Sequence, residues 1–297
     1  MIIKNGIEMI GNTPMLKVEN HNIYIKLEKY NLGGSIKDRA ALNMIEDAEK
    51  KGILKKGSII IEPTSGNTGI SLALIGRLKG YKVVLVMPDS MSEERRQLIK
   101  ASGAELILTE GPLGMKGSIE KVNNTAEEDS RYFVPSQFDN KSNMEAHYKY
   151  TSEEILKELG DVDVFTAGVG TGGTFTGISK RLKEVNPNVY TVPVEPDTSA
   201  VLSGEESGSH KIQGIGAGFI PSIYDDKYAD EIIKVSYEKA KDEANKFSKE
   251  TGILVGISTG ANLYSAKVLD KRFKGKKKIV TISPDGGEKY LSTDLYK

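Results

Sequence analysis

The sequence contains no cysteine and no tryptophan, and only three histidines. Without thiols there is no disulfide, no thiolate metal site and no cysteine nucleophile. Lysine and arginine together number 41, as do aspartate and glutamate, so the formal charge at pH 7 is zero. No net field therefore favours nucleic acid or an anionic membrane surface, and neither is an expected partner. The run Lys274-Gly275-Lys276-Lys277-Lys278 reads as a solvated loop. No apolar run approaches the ~18 residues of a membrane span. The opening residues, Met1 to Glu8, carry no apolar core of a secretory signal. Together these absences suit a reducing cytoplasm, which is the expected location. His21, His147 and His210 have no ligand-like spacing, and Asp225-Asp226 with Asp230-Glu231 reads as a solvated acidic face, so no metal site is expected.

What is present is an alternation of short apolar runs and amphipathic stretches over 297 residues, 38% of them hydrophobic and 28% charged. That length suits one large or two medium α/β domains. Ile23–Leu27, Ser58–Glu62, Lys82–Met87 and Glu105–Leu108 read as strands. Arg39–Lys51, Thr68–Lys79 and Ser92–Ser102 read as helices, the first two closed by Gly52 and Gly80. A second series begins near Asp161. Its strands are Asp163–Ala167, Tyr190–Val194 and Lys278–Ile282, and its helices are Thr174–Val185, Tyr237–Thr251 and Ala261–Lys271. Continuous Val/Ile/Leu strands between helices indicate parallel sheets covered on both faces. Right-handed crossovers then gather the loops that follow the strands along one edge of each sheet. The expected fold class is α/β: two open, mostly parallel sheets flanked by helices, with a cleft between domains. The expected division is a smaller domain over 35–145 and a larger one from 1–34 and 146–297. Residues 198–226 have weak periodicity and read as a long ordered loop.

Three strand-to-helix junctions carry the candidate chemistry. Gly170-Thr171-Gly172-Gly173-Thr174 offers backbone N–H groups at a helix start, glycines that admit a close oxyanion, and two hydroxyls. It suits a phosphate. Thr64-Ser65-Gly66-Asn67-Thr68-Gly69 packs hydroxyl and amide side chains at another helix start, suiting a carboxylate; ordinary capping by one of them is the plainer alternative. Lys37, in Gly33-Gly34-Ser35-Ile36-Lys37-Asp38-Arg39, sits where a helix dipole opposes its charge. Such an amine tends to lose its proton, and a neutral amine forms Schiff bases. An amine with two anion cradles is what holding a phosphorylated aldehyde cofactor and an amino-acid carboxylate requires. A rival exists. Gly168-Val169-Gly170-Thr171-Gly172-Gly173 matches the G-x-G-x-x-G fingerprint, and Glu195 ends the next strand where a ribose-binding acid would sit. On that reading the chain is a nicotinamide-dependent oxidoreductase.

With these residues in view, the chain resembles the cysteine synthase (O-acetylserine sulfhydrylase) family of fold-type II, tryptophan synthase β-like, pyridoxal-phosphate enzymes. The resemblance runs nearly the whole length. It includes Ile10-Gly11-Asn12-Thr13-Pro14, the Lys37 and Asn67 motifs, Met87-Pro88, Ser92-Glu93-Glu94-Arg95-Arg96, Gly114-Met115-Lys116-Gly117 and Gln137-Phe138. Gly170 to Thr174, Gly214 to Pro221 and Pro284 to Thr293 complete it. The resemblance implies the following roles. Pyridoxal 5'-phosphate is the cofactor and lies in the cleft. Lys37 forms the internal aldimine, then removes and returns the substrate Cα proton. Asn67 contacts the ring hydroxyl, and Gly170, Thr171, Gly172, Gly173 and Thr174 hold the phosphate. Thr64, Ser65, Thr68 and Gln137 bind the substrate carboxylate. Ser258 faces the pyridine nitrogen, where a neutral group limits charge uptake by the ring and favours loss of a Cβ leaving group. A serine capping the next helix is compatible with that role.

The implied reaction converts O-acetyl-L-serine and sulfide to L-cysteine and acetate through an α-aminoacrylate, protected from water by closure of the Asn67 loop. Departures from the commoner family pattern occur at Asn31-Leu32, Ser258-Thr259-Gly260-Ala261-Asn262 and Gly286-Gly287-Glu288-Lys289. They leave open a relative that makes cystathionine or lanthionine, or releases sulfide from cysteine. The family also implies a homodimer. The C-terminus of serine acetyltransferase is a further implied partner, and a non-catalytic partner of that enzyme is a third reading.

Overall fold

The structure, a computed structural model, describes residues 2–297. Strands are β1 (Met15–Lys17), β2 (Ile23–Leu27), β3 (Ile59–Pro63), β4 (Lys82–Pro88), β5 (Glu105–Thr109), β6 (Tyr132–Phe133), β7 (Val164–Gly168), β8 (Tyr190–Pro196), β9 (Ile233–Val235) and β10 (Ile279–Ser283). Helices are α1 (Lys37–Lys50), α2 (Asn67–Leu78), α3 (Glu93–Ala101), α4 (Gly114–Glu128), α5 (Lys141–Ala146), α6 (Ser152–Leu159), α7 (Gly173–Val185), α8 (Tyr237–Thr251) and α9 (Ile257–Arg272). A π-helical turn, His147–Thr151, joins α5 to α6. The chain divides into two compact units. One comprises the N-terminal residues through Ile10 with Lys37–Asn143, and the other Gly11–Ile36 with Met144–Lys297.

The first unit is built on a parallel sheet in the order β5-β4-β3-β6. Side chains alternate across it, as the pleat requires. Ile60, Val83, Leu85 and Met87 face one side, where Ala41, Ile45 and Ala48 of α1, Leu72 and Ile75 of α2 and Ile99 of α3 cover them. Ile59, Ile61, Val84 and Val86 face the other side, with Val122 of α4. Each fully buried aliphatic side chain here contributes about 1.5–3 kcal/mol relative to exposure. β3 and β6 are neighbours, so the loops that leave their carboxyl ends, 64–66 and 134–140, lie side by side.

The second unit has the order β1-β2-β10-β7-β8-β9, parallel except for the antiparallel β1 edge. α8 and α9 cover the face formed by Ile23, Ile25, Val192 and Ile279. α6 and α7 cover the face formed by Phe165, Ala167, Val280 and Ile282. Loops after β2, β7 and β10 therefore share one edge. Residues 198–226 are irregular apart from a short turn at Val201–Ser203 and the start of another, Asp226–Tyr228, as the weak periodicity implies. On β2, Lys26 is fully buried, and its ammonium meets the Thr13 carbonyl at 2.7 Å, Glu158 at 2.7 Å and Glu154 at 3.1 Å. This pins the Gly11-Asn12-Thr13-Pro14 segment against the sheet. Among the described residues, no helix is long and apolar enough to cross a membrane.

α8 and α9 pack closely because Gly260 faces α8. A β-carbon at Gly260 would lie 1.8 Å from the Ala240 carbonyl oxygen. Backbone cannot yield there as a flexible side chain could, so Gly260→Ala forces the helices apart. Overpacking of this kind costs about 1–3 kcal/mol. The expected result is a thermal midpoint lowered by several degrees, roughly 2–4 °C per kcal/mol for units of this size. An unchanged midpoint in a melt followed by circular dichroism would contradict the packing described.

Candidate active site

Lys37 is the first residue of α1 and Asn67 the first of α2. Both helices begin earlier than their apolar periodicity suggests. The buried Ser71 hydroxyl lies 2.5 Å from Asp38 Oδ1 and 3.0 Å from the Asn67 carbonyl oxygen. That one proton ties the first turn of α1 to the first turn of α2. The helix starts that carry Lys37 and Asn67 are thereby tied together within one unit. Neither Asp38 nor Ser71 announces itself in the sequence, because the contact spans 33 positions.

The cap position of α2 is Gly66, which has no side chain to offer. The hydroxyl and amide cluster of residues 64–68 is therefore not explained by capping. Thr64 Oγ1 instead accepts from the Gly66 N–H at 3.4 Å, and the Thr68 hydroxyl donates to Gln137 Oε1 at 2.7 Å. Thr64, Thr68 and Gln137 come together in this unit, all at least nine-tenths buried. Beneath them, Glu62 near the end of β3 accepts the backbone N–H groups of Ser136 at 3.0 Å and Gln137 at 3.1 Å.

In the second unit β7 runs into the Gly170–Thr174 loop and α7, whose cap is Gly172 at φ 87°. Only glycine adopts that conformation without strain. Glycine is required at Gly170 for a different reason. A β-carbon there would lie 2.3 Å from the Gly214 carbonyl oxygen. The loop is thus drawn flat against the Gly214 turn, and the first-turn N–H groups of α7 face outward with the positive end of the helix dipole. Thr174 Oγ1 is 3.3 Å from His147 Nε2, while His147 Nδ1 is 3.0 Å from Thr151 Oγ1 within the π-helical turn. The histidine spacing in the sequence gives no hint of this contact with the glycine loop.

α9 starts at Ile257 with Gly256 as its cap, four residues before the sequence places it. Ser258 is consequently inside the first turn and is not a capping residue. It is 3% exposed, and a β-carbon at Gly214 would sit 3.9 Å from its hydroxyl oxygen. Gly214 therefore adjoins both Gly170 and Ser258, bringing the phosphate loop and the serine to one place. Asn262, one of the departures from the commoner family pattern, has a structural use. Its Oδ1 accepts from the Gly168 N–H at 2.7 Å and its Nδ2 donates to the Ile282 carbonyl at 2.7 Å. It fastens α9 to the ends of β7 and β10.

The dinucleotide reading fails on Glu195. That carboxylate is buried, and it accepts from the N–H groups of Leu202 at 2.8 Å and Ser203 at 3.0 Å and from the Ser203 hydroxyl at 2.6 Å. It is committed to folding the chain after β8 and does not serve a ribose. Three of the four acidic residues of these pairs meet basic partners: Asp225 with Lys227, Asp230 with Lys183 and Glu231 with Arg272.

The residues present fit a phosphorylated pyridine aldehyde. Three helices, α2, α7 and α9, open at glycine caps, so the cap residue contributes no side-chain acceptor to the positive end of the helix dipole. The α7 loop is the one that steric contacts hold flat, which suits a phosphate. In the same unit Ser258 is a neutral hydroxyl of the kind that suits a ring nitrogen, and in the other unit Lys37 is an amine of the kind that suits an aldehyde.

Burial pushes the Glu62 carboxyl up to about 7, against the lowering effect of the two backbone donors and aided by the nearby Asp139 charge. A folded-state value above the ordinary 4.5 means that the folded chain holds this proton more tightly. Its contribution favours folding at pH 4.5 and is lost as the pH rises to about 7. The effect amounts to about 3 kcal/mol. Urea unfolding of the parent protein and Glu62→Gln at several pH values checks this. The stability difference should move in favour of the glutamine variant as pH rises, and a difference independent of pH would contradict it.

Comparison with known proteins agrees with this geometry. The model of the family described as pyridoxal-phosphate dependent enzyme matches residues 7–285. A cysteine synthase of Staphylococcus aureus is 49% identical, over 99% of this chain and 97% of that protein. The crystal structure of cysteine synthase (OASS) from Entamoeba histolytica is similar with a TM-score of 0.96 and 45% identity, covering 100% of this chain and 91% of that one. The crystal structure of a hydrogen sulfide-producing enzyme from Fusobacterium nucleatum has a TM-score of 0.92 and 50% identity, covering 98% of this chain and 100% of that one. With a family match over most of its length and relatives near half identical end to end, the chain belongs to the pyridoxal-phosphate dependent enzymes of fold-type II.

Proposed function

We propose that this chain is a cysteine synthase, converting O-acetyl-L-serine and sulfide to L-cysteine and acetate. The observation that carries the reading is the 49% identity with a cysteine synthase across 99% of the chain. When bound, pyridoxal phosphate supplies an aldehyde for amines and a conjugated ring that accepts electron density from Cα, so that a Cβ acetoxy group can leave and sulfide can take its place. The chain's own residues do the rest. Lys37 holds the cofactor, removes the proton from the substrate Cα and returns it once the Cβ–S bond has formed. Backbone donors and hydroxyls of Gly170, Thr171, Gly172, Gly173 and Thr174 hold the phosphate. Asn67 orients the ring through its hydroxyl, and Ser258 meets the ring nitrogen with a neutral group. Thr64, Ser65, Thr68 and Gln137 bind the substrate carboxylate. In the arrangement described above, Thr68 gives its proton to Gln137 Oε1, so its part includes orienting that amide.

The reading extends to a cytoplasmic homodimer and to serine acetyltransferase as a partner through its C-terminal segment. The likeness to a hydrogen sulfide-producing enzyme at 50% identity favours one second reading, in which L-cysteine is the donor and sulfide the product. The two differ in what leaves Cβ. Product assays with each donor separate them: acetate and L-cysteine from O-acetyl-L-serine with sulfide support the synthase. Sulfide release from L-cysteine that outpaces this synthesis under the same conditions would favour the second. For either, Lys37→Ala is expected to lower turnover by about 10²–10⁴-fold, the usual worth of a positioned acid–base group. Full turnover by that variant would refute the mechanism.

A further inference from the structure

Glu62 is a buried carboxylate that the reaction does not consume. It is 1% exposed and lies two residues before the Thr64–Gly69 loop. Each of its oxygens takes one backbone N–H from the adjacent loop, Oε2 from Ser136 and Oε1 from Gln137. A two-pronged acceptor of this kind fixes the orientation of a peptide plane as well as its position. The held segment needs fixing. Ser136 has φ 55°, a left-handed conformation that a serine seldom adopts unaided. Its carbonyl accepts the N–H groups of Asp139 and Asn140, both at 2.9 Å, which closes the turn on the other side.

The turn presents Gln137. Its backbone N–H goes to Glu62, its carbonyl accepts from Asn143 Nδ2 at 2.7 Å, and its side-chain Oε1 accepts from Thr68 at 2.7 Å. With Oε1 so engaged, Nε2 is the end that presents donors, the polarity that a carboxylate needs. We propose that Glu62 is a positioning residue for amino-acid substrate recognition. By clamping the Ser136-Gln137 peptide it aims the Gln137 amide at the substrate carboxylate. This rests on the proposal that Gln137 binds that carboxylate.

The geometry makes the clamp sensitive to the charge on Glu62. Ionised, it offers an acceptor to both N–H groups. A glutamine retains the shape but turns an NH₂ group toward one of them, so one prong becomes repulsive. Asp139 is the charged residue that acts on this carboxylate in the same unit.

The test is a double-mutant cycle on the holoenzyme, with Glu62→Gln, Gln137→Ala and the pair, assayed with O-acetyl-L-serine at saturating sulfide and at a pH above 7, where Glu62 is ionised. Glu62→Gln should raise KM for O-acetyl-L-serine by about tenfold with kcat changed by less than about threefold, the pattern of lost binding common to ground and transition states. Gln137→Ala should raise KM comparably, and the double variant should be no worse than Gln137→Ala alone, because the two act through one group. An intact cofactor absorption band and far-ultraviolet circular dichroism exclude misfolding as the cause. If Gln137→Ala raises KM and Glu62→Gln does not, or if the two effects multiply, the positioning role is wrong and the carboxylate role of Gln137 stands. If Gln137→Ala leaves KM unchanged, the carboxylate reading falls and the proposal falls with it.

Discussion

The site depends on one constraint of the parallel sheet: each strand delivers the chain to the amino end of the next helix, where four backbone N–H groups lack partners within the helix. Most proteins fill that end with serine, threonine or aspartate. This chain does so at α3, where Ser92 accepts from the Arg95 N–H, and at α8, where Ser236 accepts from Lys239. At α2, α7 and α9 it places glycine instead. The contrast within one molecule is informative. A serine cap places an acceptor on the first turn, and a glycine start leaves the positive end of the dipole without one from the cap residue. Each of the three glycine starts lies within or beside a motif that carries the family resemblance, at Asn67, Gly170 to Thr174 and Ser258.

A second constraint acts on the approach to Lys37. The Ile36 N–H donates to the Pro284 carbonyl at 2.8 Å, and Ser35 pairs with Asp285 in an antiparallel bridge. Lys289 donates to the Gly33 and Gly34 carbonyls at 2.9 and 3.3 Å. On the other side, Asn31 accepts the Gly11 N–H at 2.8 Å and donates to Glu28. The residues leading to the lysine are thus held by partners more than two hundred positions away as well as by near neighbours. Of these residues, Lys289 is among the departures from the commoner family pattern, whereas Asn31 follows it. Both side chains are committed to the backbone of this segment or to residues beside it.

The sequence conveys the fold where the signal is local. Runs such as Ile59-Ile60-Ile61 and Val83 to Val86 are legible as doubly covered strands because both faces are apolar. β1, β6 and β9 are two or three residues long and carry no period to read. α4 is hidden because Gly114 and Gly117 lie in its first turn, against helix propensity. The helix starts at Lys37 and Ile257 are missed for a related reason: their first turns carry polar and glycine residues in place of the apolar repeat. The glycine loop is legible as an anion cradle, and ambiguous between phosphate cofactors, until the bonds of Glu195 to Leu202 and Ser203 remove one choice. Asp38–Ser71, Glu62–Gln137 and His147–Thr174 are beyond sequence reading altogether, since each joins residues brought together only by the sheet order.

The central claim is that Lys37 is the residue that holds the cofactor. Borohydride reduction of the protein loaded with pyridoxal phosphate, followed by peptide mapping, tests it most directly. The account requires bleaching of the visible band and a pyridoxyl mass on the peptide that contains Lys37. The same mass on a different lysine, or no covalent label despite a cofactor band, would contradict it.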